Sequence, residues 1–139
     1  MFAKVFPLLS IAVLLFPMGF FMLASPPLLI LKHDTPTDGR FIRGLFNIYY
    51  LAVMTIAALG AAGCVLAGQG TEALAMGGLV AFVFAVRRWM LSNMDRLRDA
   101  IARGESGAVP QFRRLHIAGM ALNVIQFATV AWGMTRLAT

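Results

Sequence analysis

Long apolar blocks separated by short basic segments dominate this chain of 139 residues. No charged residue lies within Val5 to Leu31, Leu45 to Gly70 or Leu115 to Thr135. Each block exceeds the roughly 20 residues that a helix needs to cross a hydrocarbon layer. A fourth block, Thr71 to Trp89, has a shorter uncharged interior. It still spans if Glu72 lies at one interface and the arginines at its other end extend to the lipid headgroups.

These blocks predict an all-α integral membrane protein, a four-transmembrane-helix bundle that forms one domain over residues 1–139. The predicted spans cover residues 5–31, 45–67, 71–91 and 115–136. The third helix is expected to continue past the bilayer over residues 92–103, on or rising from the cytoplasmic surface, because apolar residues form one stripe there among charged neighbours. The stripe consists of Met90, Met94, Leu97 and Ile101.

Ten of the twelve lysines and arginines lie in the first and third of the polar connections. They are Lys32, Arg40 and Arg43 in the first, and Arg87, Arg88, Arg96, Arg98, Arg103, Arg113 and Arg114 in the third. Basic residues accumulate in cytoplasmic loops. The pattern therefore predicts that these two connections are cytoplasmic, that both termini are non-cytoplasmic, and that the protein is a multi-pass protein of a bacterial inner membrane.

The composition narrows the classes of partner. Hydrophobic residues make up 60% of the chain and charged residues 13%, which leaves too little polar surface for a soluble domain of this size. The net charge of +6 does not indicate nucleic acid, because the arginines flank spans, where they set topology and meet anionic lipid. The lipid bilayer is the expected partner. Four short spans bury little surface alone, which favours a homo-oligomer or a subunit of a larger membrane complex.

Small residues predict two surfaces for close helix packing. Ala57, Gly60, Ala61 and Cys64 form a stripe on the second helix, and Gly77 and Gly78 lie on the third. Cys64 is the only cysteine, so no disulfide forms within the chain.

Polar side chains inside a bilayer are costly and are the natural candidates for function. Several cluster at the cytoplasmic ends of three helices, which predicts a pocket for an anionic headgroup, a metal or a porphyrin. The candidate pocket residues are Asn47, Tyr50, Arg87, Arg88, His116 and Asn123. The competing interpretation is an interfacial anchor layer with interhelical hydrogen bonds, which are common in helix bundles, and the sequence favours it. Asn123 and the nearby Gln126 need partners, for which Thr55 or a backbone carbonyl is available.

Candidate metal ligands are few. His33 and His116 could provide half of a metal site or the axial ligands of a haem, although neither lies in a recognisable motif. Met18 and Met22 are one helical turn apart, and thioethers bind Cu(I). Methionine also fills gaps between helices, so the most economical prediction is that no cofactor is present, with haem or copper as the alternatives.

The basic connections supply candidate sites for lipid headgroups. These are Arg40, Arg43, Arg113 and Arg114. No Asp or Glu lies in the interior of a predicted span, which argues against a carboxylate-based proton relay or cation pump. The sequence also lacks a nucleophile beside a base and a glycine-rich phosphate loop, so catalysis is not the favoured interpretation.

Three motifs carry a resemblance to a known family. The first is Phe46-Asn47-Ile48-Tyr49-Tyr50, which follows the Pro26-Pro27 helix end and a loop containing Gly39. The second is Arg88-Trp89. The third is the stretch from Phe112 to His116, with Asn123 seven residues after His116. In order and spacing, nearly the whole chain resembles the transmembrane protein 205-like family, known in bacteria as a domain of unknown function. That family is distantly similar to copper resistance protein D and to a haem-containing protoporphyrinogen oxidase family.

The resemblance implies a four-helix membrane protein and a connection with metal or drug tolerance. The distant relatives carry a histidine within their first span, and this chain has none there, which argues against haem and oxidase chemistry. The leading hypothesis is a non-enzymatic inner-membrane protein, either an accessory or structural subunit or a transporter-like protein. The alternative is a haem- or copper-binding, redox-active membrane protein with a cytoplasm-facing site.

Overall fold

The computed structural model describes the backbone of residues 5–138 and the side chains of residues 5–136. The described chain forms four long α-helices and one short 3₁₀ helix. They are α1 (Val5–Ala24), the 3₁₀ helix (Pro26–Ile30), α2 (Pro36–Leu66), α3 (Gly70–Ala102) and α4 (Ala108–Ala138). The prediction of an all-α protein is confirmed.

All four α-helical segments are long and apolar enough to cross a membrane. Their mean hydropathies fall from 2.2 in the first to 1.4 in the last. The outward faces carry large apolar side chains, of which Phe16, Leu23 and Leu74 are each about four-fifths exposed. An apolar exterior of this kind suits lipid, because contact with hydrocarbon exposes these side chains without the free-energy cost that water imposes.

Local chemistry sets the helix ends. Pro26 and Pro27 lack backbone N–H groups, and α1 ends just before them in favour of the 3₁₀ turn. Thr35 caps α2, with its hydroxyl accepting a hydrogen bond from the Asp38 amide at 3.2 Å, and Pro36 occupies the first helical turn. After α3, Gly104 adopts a left-handed conformation with φ of 71°, the usual helix stop.

The helices pack in a ring in which each contacts its neighbour in sequence and α4 returns to α1. The small-residue prediction for α2 is confirmed. Ala57 and Cys64 are fully buried, and a Cβ at Gly60 would lie 3.2 Å from Ser10 Cβ of α1. The prediction for α3 is wrong, because Gly77 and Gly78 face open space. Their helix turns that side away from the bundle.

At one end of the bundle, α2 and α3 extend together. With 31 and 33 residues they are about 46 and 50 Å long at 1.5 Å per residue, well beyond the hydrocarbon thickness. Arg43 of α2 makes a two-pronged ion pair with Asp95 of α3, with both N···O distances 3.1 Å. The stripe of four apolar residues predicted beyond the third span is buried between the helices. The segment is thus a direct continuation of α3.

Candidate functional site

Two histidines and a serine form a buried chain of hydrogen bonds at the end of the bundle that carries the first and third connections. Ser25 Oγ lies 3.0 Å from His116 Nε2, and His116 Nδ1 lies 3.0 Å from His33 Nε2. His33 Nδ1 in turn contacts the carbonyl oxygen of Leu31. All three side chains have no exposed surface. The fold therefore joins two histidines that are 83 residues apart in sequence.

The chain's ends and turns position these groups. Ser25 follows the last residue of α1 and keeps a helical backbone, with its amide bonded to the Phe21 carbonyl at 2.9 Å. His33 adopts a left-handed backbone with φ of 62° and is the only described residue other than glycine to do so. Such a conformation costs free energy for most residues and often marks a functional constraint. Here it turns the imidazole inward from a loop, toward α4.

The hydrogen-bond chain fixes the proton on each ring when both are neutral. The Leu31 carbonyl can only accept, so His33 carries its proton on Nδ1 and offers a lone pair at Nε2. His116 then donates from Nδ1 to that lone pair, and its Nε2 accepts from the Ser25 hydroxyl. These tautomers follow from the bonding pattern, and every polar atom of the three side chains has a partner. Such a completely paired network holds the loop against α4 in a low-dielectric interior.

Aromatic rings enclose the histidine pair. Phe112 of α4 lies 6.0 Å from His33 between ring centroids, and Phe46 of α2 lies 5.7 Å from His116 in an edge-on arrangement. Both phenylalanines are fully buried. Apolar walls of this kind exclude water and strengthen the electrostatic interactions of whatever lies between them.

The same geometry suits a transition-metal ion. Metal-binding histidines usually donate their second ring N–H to a carbonyl or another acceptor, which orients the ring. His33 already does so to Leu31. A tautomer change at His116, with Nε2 donating to Ser25 Oγ, would leave two facing lone pairs. Nitrogens bound to a tetrahedral metal are about 3.3 Å apart, so the observed 3.0 Å would have to lengthen, and both rings would have to tilt for their lone pairs to converge on one ion.

A haem bound by both histidines does not fit. Axial ligands lie on opposite sides of one iron with the macrocycle between them. His33 and His116 are instead in direct hydrogen-bond contact, with Phe46 and Phe112 packed against them. A porphyrin would have to displace these rings and the 3₁₀ turn.

The order serine, histidine, histidine also resembles the nucleophile, base and orienting group of acyl-transfer enzymes. A nucleophile must be reached by its substrate. Ser25 Oγ is enclosed by α4 and the proline turn, with no exposed surface. The described structure therefore gives a substrate carbonyl no approach to it.

A second polar group lies deeper in the bundle, on the same face of α4. Gln126 Oε1 accepts a 2.6 Å hydrogen bond from the Tyr49 hydroxyl of α2, and Asn123 Nδ2 donates to the Met18 carbonyl of α1 at 3.4 Å. Of the partners suggested by the sequence, the backbone carbonyl is confirmed and Thr55 is wrong, because its helix position is exposed. His116, Gly119, Asn123 and Gln126 thus form one buried, largely polar stripe.

The two adjacent tyrosines should respond differently to loss of the hydroxyl. Tyr49→Phe leaves Gln126 Oε1 without its partner, and we expect a loss of about 1 kcal/mol of stability, a typical value for interhelical hydrogen bonds. The Tyr50 hydroxyl is buried with no partner among the described residues, so Tyr50→Phe should be neutral or stabilising. Thermal or denaturant unfolding in detergent compares the two. Equal losses for both variants would contradict the assignment.

The contacts divide the pocket predicted from the sequence into three groups. His116 joins the histidine pair, and Asn123 joins the deeper group beside the buried Tyr50. Asn47 accepts a 2.7 Å hydrogen bond from Arg87 Nη2 between α2 and α3, and the exposed Arg88 lies one residue further on.

The other candidates are scattered. Arg40 and Arg114 are exposed, Arg43 is paired with Asp95, and Arg113 donates to the Leu29 carbonyl at 3.2 Å. Met18 is buried in the bundle core and Met22 is half-buried, one turn apart on α1.

Sequence reasoning missed Ser25 as a partner of His116. The residue precedes two prolines and has no neighbouring motif, so only the 3.0 Å contact identifies it. A histidine in the first connection and another at the start of the last span were visible, but their pairing depends on the left-handed turn at His33.

Four helices able to span a membrane, with large apolar side chains exposed on their outer faces, define the class: an all-α protein suited to a lipid bilayer. Comparison with known protein families, curated proteins and solved structures finds no match to this chain. The family resemblance therefore stays a prediction, and the site rests on its own geometry.

Proposed function

We propose that this chain is a non-enzymatic, transporter-like or accessory protein of the bacterial inner membrane, that it is connected with transition-metal tolerance, and that His33 and His116 bind the ion. The observation that carries the proposal is the 3.0 Å approach of His33 Nε2 to His116 Nδ1. Both rings are oriented through their other nitrogens by Leu31 and Ser25. Imidazole suits copper, zinc, iron and nickel.

The number of ligands points to exchange of the ion. Among the described residues, no group of three or more His, Cys, Asp or Glu forms a metal cluster. Structural zinc sites use four protein ligands, whereas sites with open positions accept water or an incoming ligand. A two-histidine site would hold an ion less tightly than a four-ligand site, and because both rings are fully buried, the loop that carries His33 would have to move for the ion to enter or leave. Zinc and copper are the appropriate probes because both accept imidazole.

We expect purified protein without an affinity tag to bind about one zinc or copper ion per chain in equilibrium dialysis. His33→Gln and His116→Gln should each abolish this binding, because each removes one of only two ligands. Ser25→Ala removes only the acceptor for His116 and should weaken affinity by about tenfold to a hundredfold.

Met18→Leu and Met22→Leu serve as controls and should bind metal like the wild-type chain. They also test the thioether hypothesis independently, since loss of copper in these variants would assign the ion to α1. A wild-type chain that takes up no metal, or histidine variants that bind it normally, would refute the proposed site.

We also propose that both termini are non-cytoplasmic and that the histidine pair faces the cytoplasmic leaflet. The basis is the concentration of arginine at that end of the bundle. Alkaline phosphatase fused after Thr139 should be active and a fluorescent protein there dark. Insertion of the same reporters at Gly107, between α3 and α4, should reverse both results. An inactive alkaline phosphatase fusion together with a fluorescent protein fusion that emits, both at the C-terminus, would show the opposite orientation.

A further inference from the structure

The molecule has a polar cavity away from the histidines, where α2 and α3 leave the apolar part of the bundle. It measures about 350 Å³ and is lined by charged, hydroxyl and apolar side chains. The lining residues are Arg43, Phe84, Arg87, Arg88, Leu91, Ser92 and Asp95. Three of the seven are arginines and one is acidic, so the cavity carries a net positive charge.

The single carboxylate in the cavity is already engaged. Asp95 Oδ1 accepts from Arg43 Nε and from Arg98 Nη1, both at 3.1 Å, and Asp95 Oδ2 accepts from Arg43 Nη2. Arg43 is thereby neutralised locally, and Arg98 has a second carboxylate in Asp99 at 2.9 Å. Arg87 and Arg88 therefore receive no compensation from Asp95.

Arg87 is the residue that most needs an additional partner. Its Nη2 donates to the neutral amide oxygen of Asn47 at 2.7 Å. Its Nε is buried and has no acceptor among the described residues. An arginine held between two helices near the membrane, without a carboxylate, is costly. An anionic ligand would remove that cost.

We propose that this cavity binds a phosphate group through Arg87 and Arg88, with the Ser92 hydroxyl as a further donor. Guanidinium groups match phosphate oxygens in charge and in the spacing of their donors. Phe84 and Leu91 in the same wall give the ligand an apolar side. Phe84 is about half exposed. An anionic phospholipid and a soluble phosphate compound share this chemistry, and experiment can separate them.

The lipid arm uses the intact chain in nanodiscs or detergent, with native mass spectrometry against phosphatidylglycerol and phosphatidylcholine. We expect one phosphatidylglycerol retained per chain in preference to phosphatidylcholine. Arg87→Gln, which retains a donor for Asn47, and Arg88→Gln should each weaken that retention about tenfold, the effect of one charge-assisted hydrogen bond. Arg87→Lys keeps the positive charge but loses the forked N–H donors of the guanidinium group, so its retention of phosphatidylglycerol should be intermediate. The soluble arm measures binding of inorganic phosphate and glycerol 3-phosphate with the same variants.

Arg96→Gln is the matched control, because it removes an equal charge from the same end of the bundle at an exposed position outside the cavity. It should leave binding unchanged. If phospholipid retention depends on Arg87 and Arg88, the proposal is supported and the ligand is a lipid. If only the binding of soluble phosphate compounds depends on them, the proposal is supported and the ligand is soluble. Equal loss in Arg96→Gln, or no dependence on Arg87 and Arg88 in either arm, overturns it. Circular dichroism and size-exclusion profiles verify that each variant is folded.

Discussion

Replacement of Gly119 by alanine is expected to destabilise the bundle by about 1–3 kcal/mol or more, and replacement by valine to prevent correct packing. A Cβ at this position would overlap the ring of Phe46, with only 2.6 Å to Cζ, and would lie 3.2 Å from Met90 Cε. Phe46 cannot turn aside, because Phe21 packs edge-on against it at 4.8 Å and His116 closes another side. Unfolding in detergent, followed by circular dichroism, measures the effect.

Gly133→Ala is the matched control for this prediction. It lies on the same helix, and a Cβ there would meet nothing within 4 Å. Alanine is the better helix former by up to about 1 kcal/mol, so this variant should be neutral or slightly stabilised. Replacing the Phe46 ring with a smaller side chain, in the double variant Gly119→Ala/Phe46→Leu, should restore part of the stability that Gly119→Ala loses. If Gly119→Ala is as stable as Gly133→Ala, α2 and α4 are not in the close contact described.

The second large effect is expected at the histidine pair. His116→Leu leaves both His33 Nε2 and the Ser25 hydroxyl without partners in a buried site. Each orphaned group costs about 1–3 kcal/mol, so a total loss of about 2–6 kcal/mol is expected. His33→Leu orphans one ring nitrogen of His116 and also places leucine in a left-handed backbone conformation, which adds strain. Chemical unfolding of the metal-free protein measures both losses.

The double variant separates the pair interaction from these single-site costs. Because the backbone strain at position 33 is present in both variants that lack His33, it cancels in a double-mutant cycle. We expect the double variant to lose less than the two singles added together, by about 1–2 kcal/mol, since neither facing nitrogen then remains to be orphaned. Additive losses would mean that the two rings do not interact. This stability cycle is independent of metal binding, so it tests the geometry even if no ion binds.

Much of the architecture could be predicted from the apolar blocks, because a membrane-spanning segment can be recognised by its length and hydropathy. The apolar stripe from Met90 to Ile101 was likewise readable from its spacing, but its burial between the helices was not predicted. The glycine pair Gly77 and Gly78 was not readable in this way. A small residue permits a close approach, but the rotation of α3 about its own axis decides whether a neighbour makes one.

The site was only partly predictable for the same reason. The sequence placed Asn47, Arg87 and His116 in one candidate pocket by their depth in the bilayer, and named His33 with His116 as candidate metal ligands. The structure places the histidines in one cluster and the Asn47–Arg87 pair in another. The depth of a side chain in the bilayer follows from its position along a helix. Its hydrogen-bond partners depend on which face each helix turns toward the inside of the bundle.

The sequence alone determined that the described residues form four long helices, that each is apolar enough for a lipid environment, and where the basic connections fall. Those properties are sums over local stretches of residues, so they need no knowledge of neighbouring helices. Only the tertiary structure decided that Ser25, His116 and His33 form a single hydrogen-bonded chain and that Arg87 lines a cavity without a carboxylate of its own. Contacts across 40 to 91 positions depend on helix rotation and on one left-handed turn at His33. Local hydrophobicity specifies neither.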